Sequence, residues 1–223
     1  VFKRDLQSIL DGNVVDVDDG FLEVSAFSQQ IQEIDDFVVA DDFFNSMLAD
    51  SDDVGFLLDS IGADGPGYVN ISLDLDYNLF NSFLRSHGIS DNILFSSVFA
   101  YTLSRFVGSE KVLFNIIDNG RDRFQNYDSI GMFVNTLPLL VDCTNQNVDS
   151  FLEYMSDLVY GVMKYNFYPF RFLANKYDIN SNIIFQFIPE WIRDSGEFDE
   201  VTVADDDIIG NMDDLIADLT VEV

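Results

Sequence analysis

Ile130-Gly131-Met132-Phe133-Val134-Asn135-Thr136-Leu137-Pro138-Leu139 is the stretch on which the fold turns. Its apolar side chains predict a strand over 132–141, with Phe133 and Leu137 in the core. Pro138 places that strand at a sheet edge or a bulge, because proline donates nothing to a ladder. Asn135 brings both a donor and an acceptor into this apolar setting. Upstream, Val112 to Ile117 is a continuous apolar run, as a strand covered on both sides requires. It ends at Asn119-Gly120, and Arg121-Asp122-Arg123 follows as a dense basic spot. Arginine in an acidic field takes a partner, either an internal carboxylate or a phosphate-bearing ligand. The internal pair is the expected one.

Further out, helices and strands alternate. Residues 2 to 10 read as an amphipathic helix broken by Asp11-Gly12-Asn13. Helical segments are expected over 21–37 and 41–48, linked by an acidic turn, and a surface loop over 50–67. Tyr68 to Asp76 alternates, with Val69, Ile71, Leu73 and Leu75 on one side, and predicts a half-buried strand. Helices are expected over 78–86, 91–106 and 148–165. The second of these carries an apolar face of Ile93, Leu94, Ser97, Val98, Tyr101 and Phe106. Short strands are expected over 183–188 and 218–223. The sum is an α/β (mixed α+β) architecture without internal repeats.

Charge narrows the function classes. The 223 residues carry 11 Lys and Arg against 40 Asp and Glu, a net charge of −29. Such a surface repels phosphate backbones and anionic lipid, which argues against nucleic acid and membrane surfaces as partners. No apolar run approaches the roughly 20 residues of a membrane-spanning helix. Val1-Phe2-Lys3-Arg4-Asp5 opens without a secretory signature. With 48% hydrophobic residues and 22 Phe, the chain can bury a core and is not a disordered acidic tail. Cys143 is the single cysteine, so disulfides within the chain and thiolate clusters are excluded. A reducing, cytoplasmic setting is expected, and Cys143 reads as buried and inert.

The residues that could carry chemistry are few. His87 is the only histidine. Followed by Gly88, it reads as the last turn of a helix, where a cation suits the dipole. Histidine-dependent chemistry would have to use it, and nothing nearby resembles a metal or triad partner. Asp16-Val17-Asp18-Asp19-Gly20 resembles a calcium loop only superficially, because the EF-hand pattern needs Gly sixth and Glu twelfth. Here Gly20 is fifth and Phe27 twelfth. Asp205-Asp206-Asp207 and Asp213-Asp214 read as solvated turn charges. No metal site is expected, and there is no phosphate-binding loop or nucleophile elbow.

The quoted stretch resembles the Ile-Gly-x-Phe-Val-Asn-Thr motif of condensation domains from nonribosomal peptide synthetases. Other motifs of that family occur in its order. Phe21-Leu22-Glu23-Val24-Ser25-Ala26-Phe27 resembles a degenerate Tyr-x-Asp-Phe-Ala-Val-Trp element. Asn166-Phe167-Tyr168-Pro169-Phe170 resembles Asn-Gln-Asp-Tyr-Pro-Phe, with Arg171 where Glu is usual. Asp178-Ile179-Asn180-Ser181-Asn182-Ile183 is similar to the late Arg-Asp-x-Ser-Arg-Asn-Pro element. Leu103 to Gly108 and Asn119-Gly120-Arg121 also resemble the family's helix and strand ends.

The resemblance implies a chloramphenicol-acetyltransferase-like lobe, a mixed sheet backed by helices. It implies amide-bond formation between thioesters borne on the 4'-phosphopantetheine arms of carrier proteins, with no cofactor bound directly. The family's His-His-x-x-x-Asp-Gly motif does not occur in these residues, so no catalytic residue is assigned and the chain alone is expected to be inactive. Residues 1–67 would then be a helical segment and acidic loop following that motif, and 68–223 the C-terminal lobe. By the same resemblance, Leu219 to Val223 precedes the family's last strand and helix. Carrier proteins, adjacent synthetase domains and the N-terminal lobe are the implied partners, with self-association of the chain through its uncovered face. Asn135, Thr136 and Arg121 are the implied pantetheine or substrate contacts. Holding the Pro138 edge in place is an open alternative for Asn135, and internal pairing for Arg121. An epimerisation or cyclisation relative, or a module that only docks carriers, are the other readings.

Overall fold

A computed structural model describes residues 2–15, 20–49, 51, 69–121, 129–144, 147–179, 183–188 and 219–223. The elements in chain order are α1 (Phe2–Leu10), α2 (Gly20–Gln30), a short 3-10 turn (Ile31–Glu33), α3 (Asp35–Met47), α4 (Tyr77–His87), α5 (Asp91–Val107), β1 (Lys111–Asp118), β2 (Asn135–Asp142), α6 (Val148–Lys164), α7 (Phe170–Tyr177), β3 (Ile183–Gln186) and β4 (Leu219–Glu222). The strands form one sheet in the order β2-β1-β3-β4. β1 pairs with β3 in parallel, Asn115 opposite Ile184, and β3 pairs with β4 in parallel, Ile183 opposite Leu219. β1 is buried along almost its whole length, as its unbroken apolar run predicts. β2 lies at the edge of the sheet, where Pro138 costs no ladder bond.

Two compact units divide the chain. The first takes its residues from Val1–Ala49, Ile117–Pro138 and Gly161–Ile179. The second takes its residues from Asp50–Ile116, Leu139–Tyr160 and Asn180–Val223. The core of the second unit is aromatic where helix meets sheet. Phe99 of α5 sits edge-on to Phe114 of β1 at 5.0 Å and stacks on Phe185 of β3 at 5.3 Å. The first unit packs α3 through Phe37 and Phe44, which contact Tyr168 at 4.9 and 5.2 Å between ring centres.

Local chemistry sets the helix ends. The Asp76 carboxylate accepts from the amides of Asn78 and Leu79 and starts α4. Ser90 starts α5 by accepting from Ile93 N. α4 stops at Gly88, in the left-handed conformation, so His87 does occupy a last helical turn.

Five expectations need correction. Val69 to Asp76 forms no strand: Val69 is 79% exposed and Ile71 73%, and among the described residues no strand pairs with the segment. Alternation alone cannot make a strand without a neighbour to bond. The helix break lies at Ile34 rather than at the acidic residues, because Asp35 and Asp36 enter the first turn of α3, where carboxylates suit the dipole. The buried stripe of α5 is Ile93, Ser96, Ser97, Ala100, Leu103 and Ser104, which leaves Val98, Tyr101 and Phe106 exposed. Small residues share the inward side with Ile93, Phe99 and Leu103 there. Finally, α7 is a helix that the sequence reading does not contain, and β2 begins at Asn135 rather than Met132. The acidic stretches 16–19, 205–207 and 213–214, and the loop expected over 50–67 apart from Ser51, lie outside the described residues.

Candidate functional site

A side-chain amide has two N–H donors and one carbonyl acceptor, so three well-aimed bonds fix it completely. Asn135, the first residue of β2, makes three. Its Nδ2 donates to the carbonyl oxygens of Asn166 at 2.7 Å and Tyr168 at 2.9 Å. Its Oδ1 accepts from the backbone N–H of Thr136 at 3.0 Å. The Ile-Gly-Met-Phe-Val-Asn-Thr segment and the Asn-Phe-Tyr-Pro-Phe segment, 31 residues apart at Asn135 and Asn166, are thus tied together by one side chain.

Asn166 extends the tie. Its Nδ2 donates to Asp118 Oδ1 at 3.0 Å, and the same oxygen accepts from Gly120 N at 2.8 Å. Asp118 ends β1 and is buried. Gly120 has φ +66°, and a Cβ there would stand 1.9 Å from the carbonyl oxygen of Phe133. Only glycine allows that approach. Arg121 donates from Nη1 to the carbonyl oxygen of Ser129 at 2.8 Å and lays its guanidinium 4.3 Å from the centre of the Phe133 ring. Phe133 in turn meets Phe21 of α2 edge-on at 5.6 Å. Thr136 is half-buried beside Asn135. The structure therefore brings the three sequence-identified residues into one unit.

Tyr168 carries the network to α3. Its hydroxyl donates to Asp41 Oδ1 at 2.5 Å. Asp41 Oδ2 accepts from Asn45 Nδ2 at 2.8 Å and faces Lys176 Nζ at 3.5 Å. Asn45 Oδ1 also accepts from Tyr177 and Lys176 of α7, both at 2.5 Å. Burial pushes the Tyr168 hydroxyl well above the ordinary tyrosine pKa, and donation to the Asp41 carboxylate pushes it further. For Asp41, burial works against the ionised form. The bonds from Tyr168 and Asn45 and the Lys176 charge outweigh it and leave the carboxyl below its usual value.

Sequence reasoning missed Asp41, Asn45 and Lys176. The contacts that join α3 to Tyr168 and α7 span 127 to 135 residues, and no spacing rule connects them. His87 belongs to the second unit. Its Nδ1 stands 2.9 Å from the carbonyl oxygen of Phe83 and its Nε2 3.1 Å from Asp149 Oδ1. Cys143 is buried, its thiol 3.6 Å from the carbonyl oxygen of Ala100, and burial raises its pKa. Among the described residues no cluster of His, Cys, Asp and Glu could hold a metal ion, and no helix is long and apolar enough to cross a membrane.

A family model described as Condensation domain matches residues 25–192. One of the subunits of the linear gramicidin synthase of Brevibacillus parabrevis is 31% identical over 91 residues, which are 40% of this chain and 1% of that protein. Among solved structures, the first condensation domain of the calcium-dependent antibiotic synthetase, in complex with a substrate analogue, superposes with a TM-score of 0.61 at 15% identity, over 82% of this chain and 44% of that one. The condensation domain from Monacolin K polyketide synthase gives a TM-score of 0.62 at 15% identity, over 81% and 48%. The chain spans less than half the length of these two structures. Their likeness is one of fold, and it bears out the chloramphenicol-acetyltransferase-like lobe, with a mixed sheet backed by helices.

Proposed function

Because the chain belongs to the condensation domain family, we propose that it forms part of a nonribosomal peptide synthetase domain that makes amide bonds between carrier-borne thioesters. The amine of one carrier-bound residue attacks the thioester carbonyl of the other. The C–N bond forms, the C–S bond breaks, and the amine's proton leaves with the pantetheine thiol. Such a reaction depends chiefly on bringing two tethered reactants together in register. The phosphopantetheine arms come with the substrates, and carrier proteins and adjacent synthetase domains are the partners.

The observation that carries this reading is the tie from Asn135 to the carbonyls of Asn166 and Tyr168. It joins two of the family-like segments and leaves Asn135 as a positioning residue rather than a donor to substrate. Thr136, in β2, and Arg121, in the segment after β1, are assigned the contacts to a pantetheine arm. In this reading residues 1–67 lead out of the catalytic motif, residues 68–223 form the C-terminal lobe, and the catalytic imidazole is supplied from outside these 223 residues. His87, engaged at the end of α4, does not replace it.

The test incubates the parent synthetase domain with donor- and acceptor-loaded carriers and follows the condensed product by mass spectrometry. Product above uncatalysed aminolysis is expected from the parent and none from the isolated chain. A parent domain without product overturns the reading. Product from the isolated chain, lost in His87→Ala, would move the active site to α4.

A further inference from the structure

In the second unit, α5, α6 and the residues after β2 line a half-open pocket of about 320 Å³. Its walls are mainly apolar, with Val98 on α5, Phe151 and Leu152 on α6 and Cys143 beyond the end of β2, and Ser97 and Thr144 add polar groups. The volume is at the small end of the range typical of ligand pockets, roughly 300–1,000 Å³. Arg105 also lines the cavity, its guanidinium 4.8 Å from the Tyr101 ring centre.

Among the described residues Arg105, like Arg85, Lys164 and Arg171, has no carboxylate within ion-pair distance, and of these four it alone lines the pocket. An arginine backed by an aromatic ring at an apolar cavity presents one fixed fork of donors to an anionic oxygen pair. Val98, Tyr101 and Arg105, all exposed, border the same opening.

We propose that this cavity binds a small apolar carboxylic acid, its acyl or aryl body in the cavity and its carboxylate on Arg105. The proposal is independent of the condensation reading, because it uses none of the residues around Asn135. Calorimetric titration of the 223-residue chain with decanoate, below its micelle concentration, tests it, with decan-1-ol as the neutral counterpart. Decanoate should bind at one site per chain and more tightly than the alcohol. Arg105→Met should weaken decanoate by roughly tenfold and leave the alcohol unchanged, as the loss of a charge-assisted contact implies. Val98→Trp, which puts bulk at the opening from an exposed position, should abolish both. Melting curves establish that both variants are folded. Absence of decanoate binding, equal binding by Arg105→Met, or unimpaired binding by Val98→Trp overturns the proposal.

Discussion

Both amide hydrogens of Asn135 are committed to backbone carbonyls, and this makes its substitutions informative. Asn135→Ala leaves those two carbonyls without their donor and should cost about 1–3 kcal/mol, read from denaturant unfolding. Asn135→Asp should cost more, because a carboxylate can only accept and would face carbonyl oxygens. The neighbouring Tyr168–Asp41 pair gives a signature in pH. Tyr168's folded pKa lies above the unfolded one, so its contribution is complete below about pH 10 and is lost as pH rises further. Tyr168→Phe should therefore flatten the alkaline fall of the melting temperature. Asp41 has the opposite sign. Its lowered pKa contributes stability above about pH 4 that is lost as pH falls through the folded value, so Asp41→Asn should flatten the acid limb. Unchanged limbs in both variants would show that the pair does not couple to folding.

At the scale of elements, burial separates what alternation and apolar runs promise. Phe185 of β3 is 1% exposed and packs on Phe99 and Phe114. Phe185→Ala should cost about 3–5 kcal/mol. Ile71→Ser and Leu73→Ser, in the exposed segment that the sequence marks as a strand, should each stay within about 0.5 kcal/mol of wild type. Chemical denaturation of the three variants checks both statements. The contrast shows where sequence reading succeeds. β1, α4, α6 and the turn at Gly88 were legible because each is written locally, in an unbroken apolar run or in residues that cap and stop helices. α7 was not, because Phe170 to Tyr177 is only eight residues long and starts without a side-chain cap. The inward face of α5 is less legible, because Ala100 and three serines share it with Ile93, Phe99 and Leu103 and carry no apolar signal of their own. The site divides the same way. Asn135, Thr136 and Arg121 sit in recognisable segments, whereas Asp41, Asn45 and Lys176 acquire their meaning only when distant helices meet.

For the molecule as a whole, a net charge of −29 means self-repulsion in the compact state. Its melting temperature should rise as KCl is added from low to moderate concentration, because screening shortens the reach of that repulsion to roughly 10 Å at 0.1 M salt. A flat or falling trend would show that the carboxylates are already well spaced or paired. Asn135 ties together two segments of a condensation-family chain. The measurement that tests it most directly is the single-turnover rate of amide formation by the parent domain with loaded carriers, wild type against Asn135→Ala, at a temperature where both are folded. The rate should fall by about tenfold or more, as displacement of a positioned reactant entails. An Asn135→Ala domain that is destabilised yet condenses its substrates at the wild-type rate would contradict it.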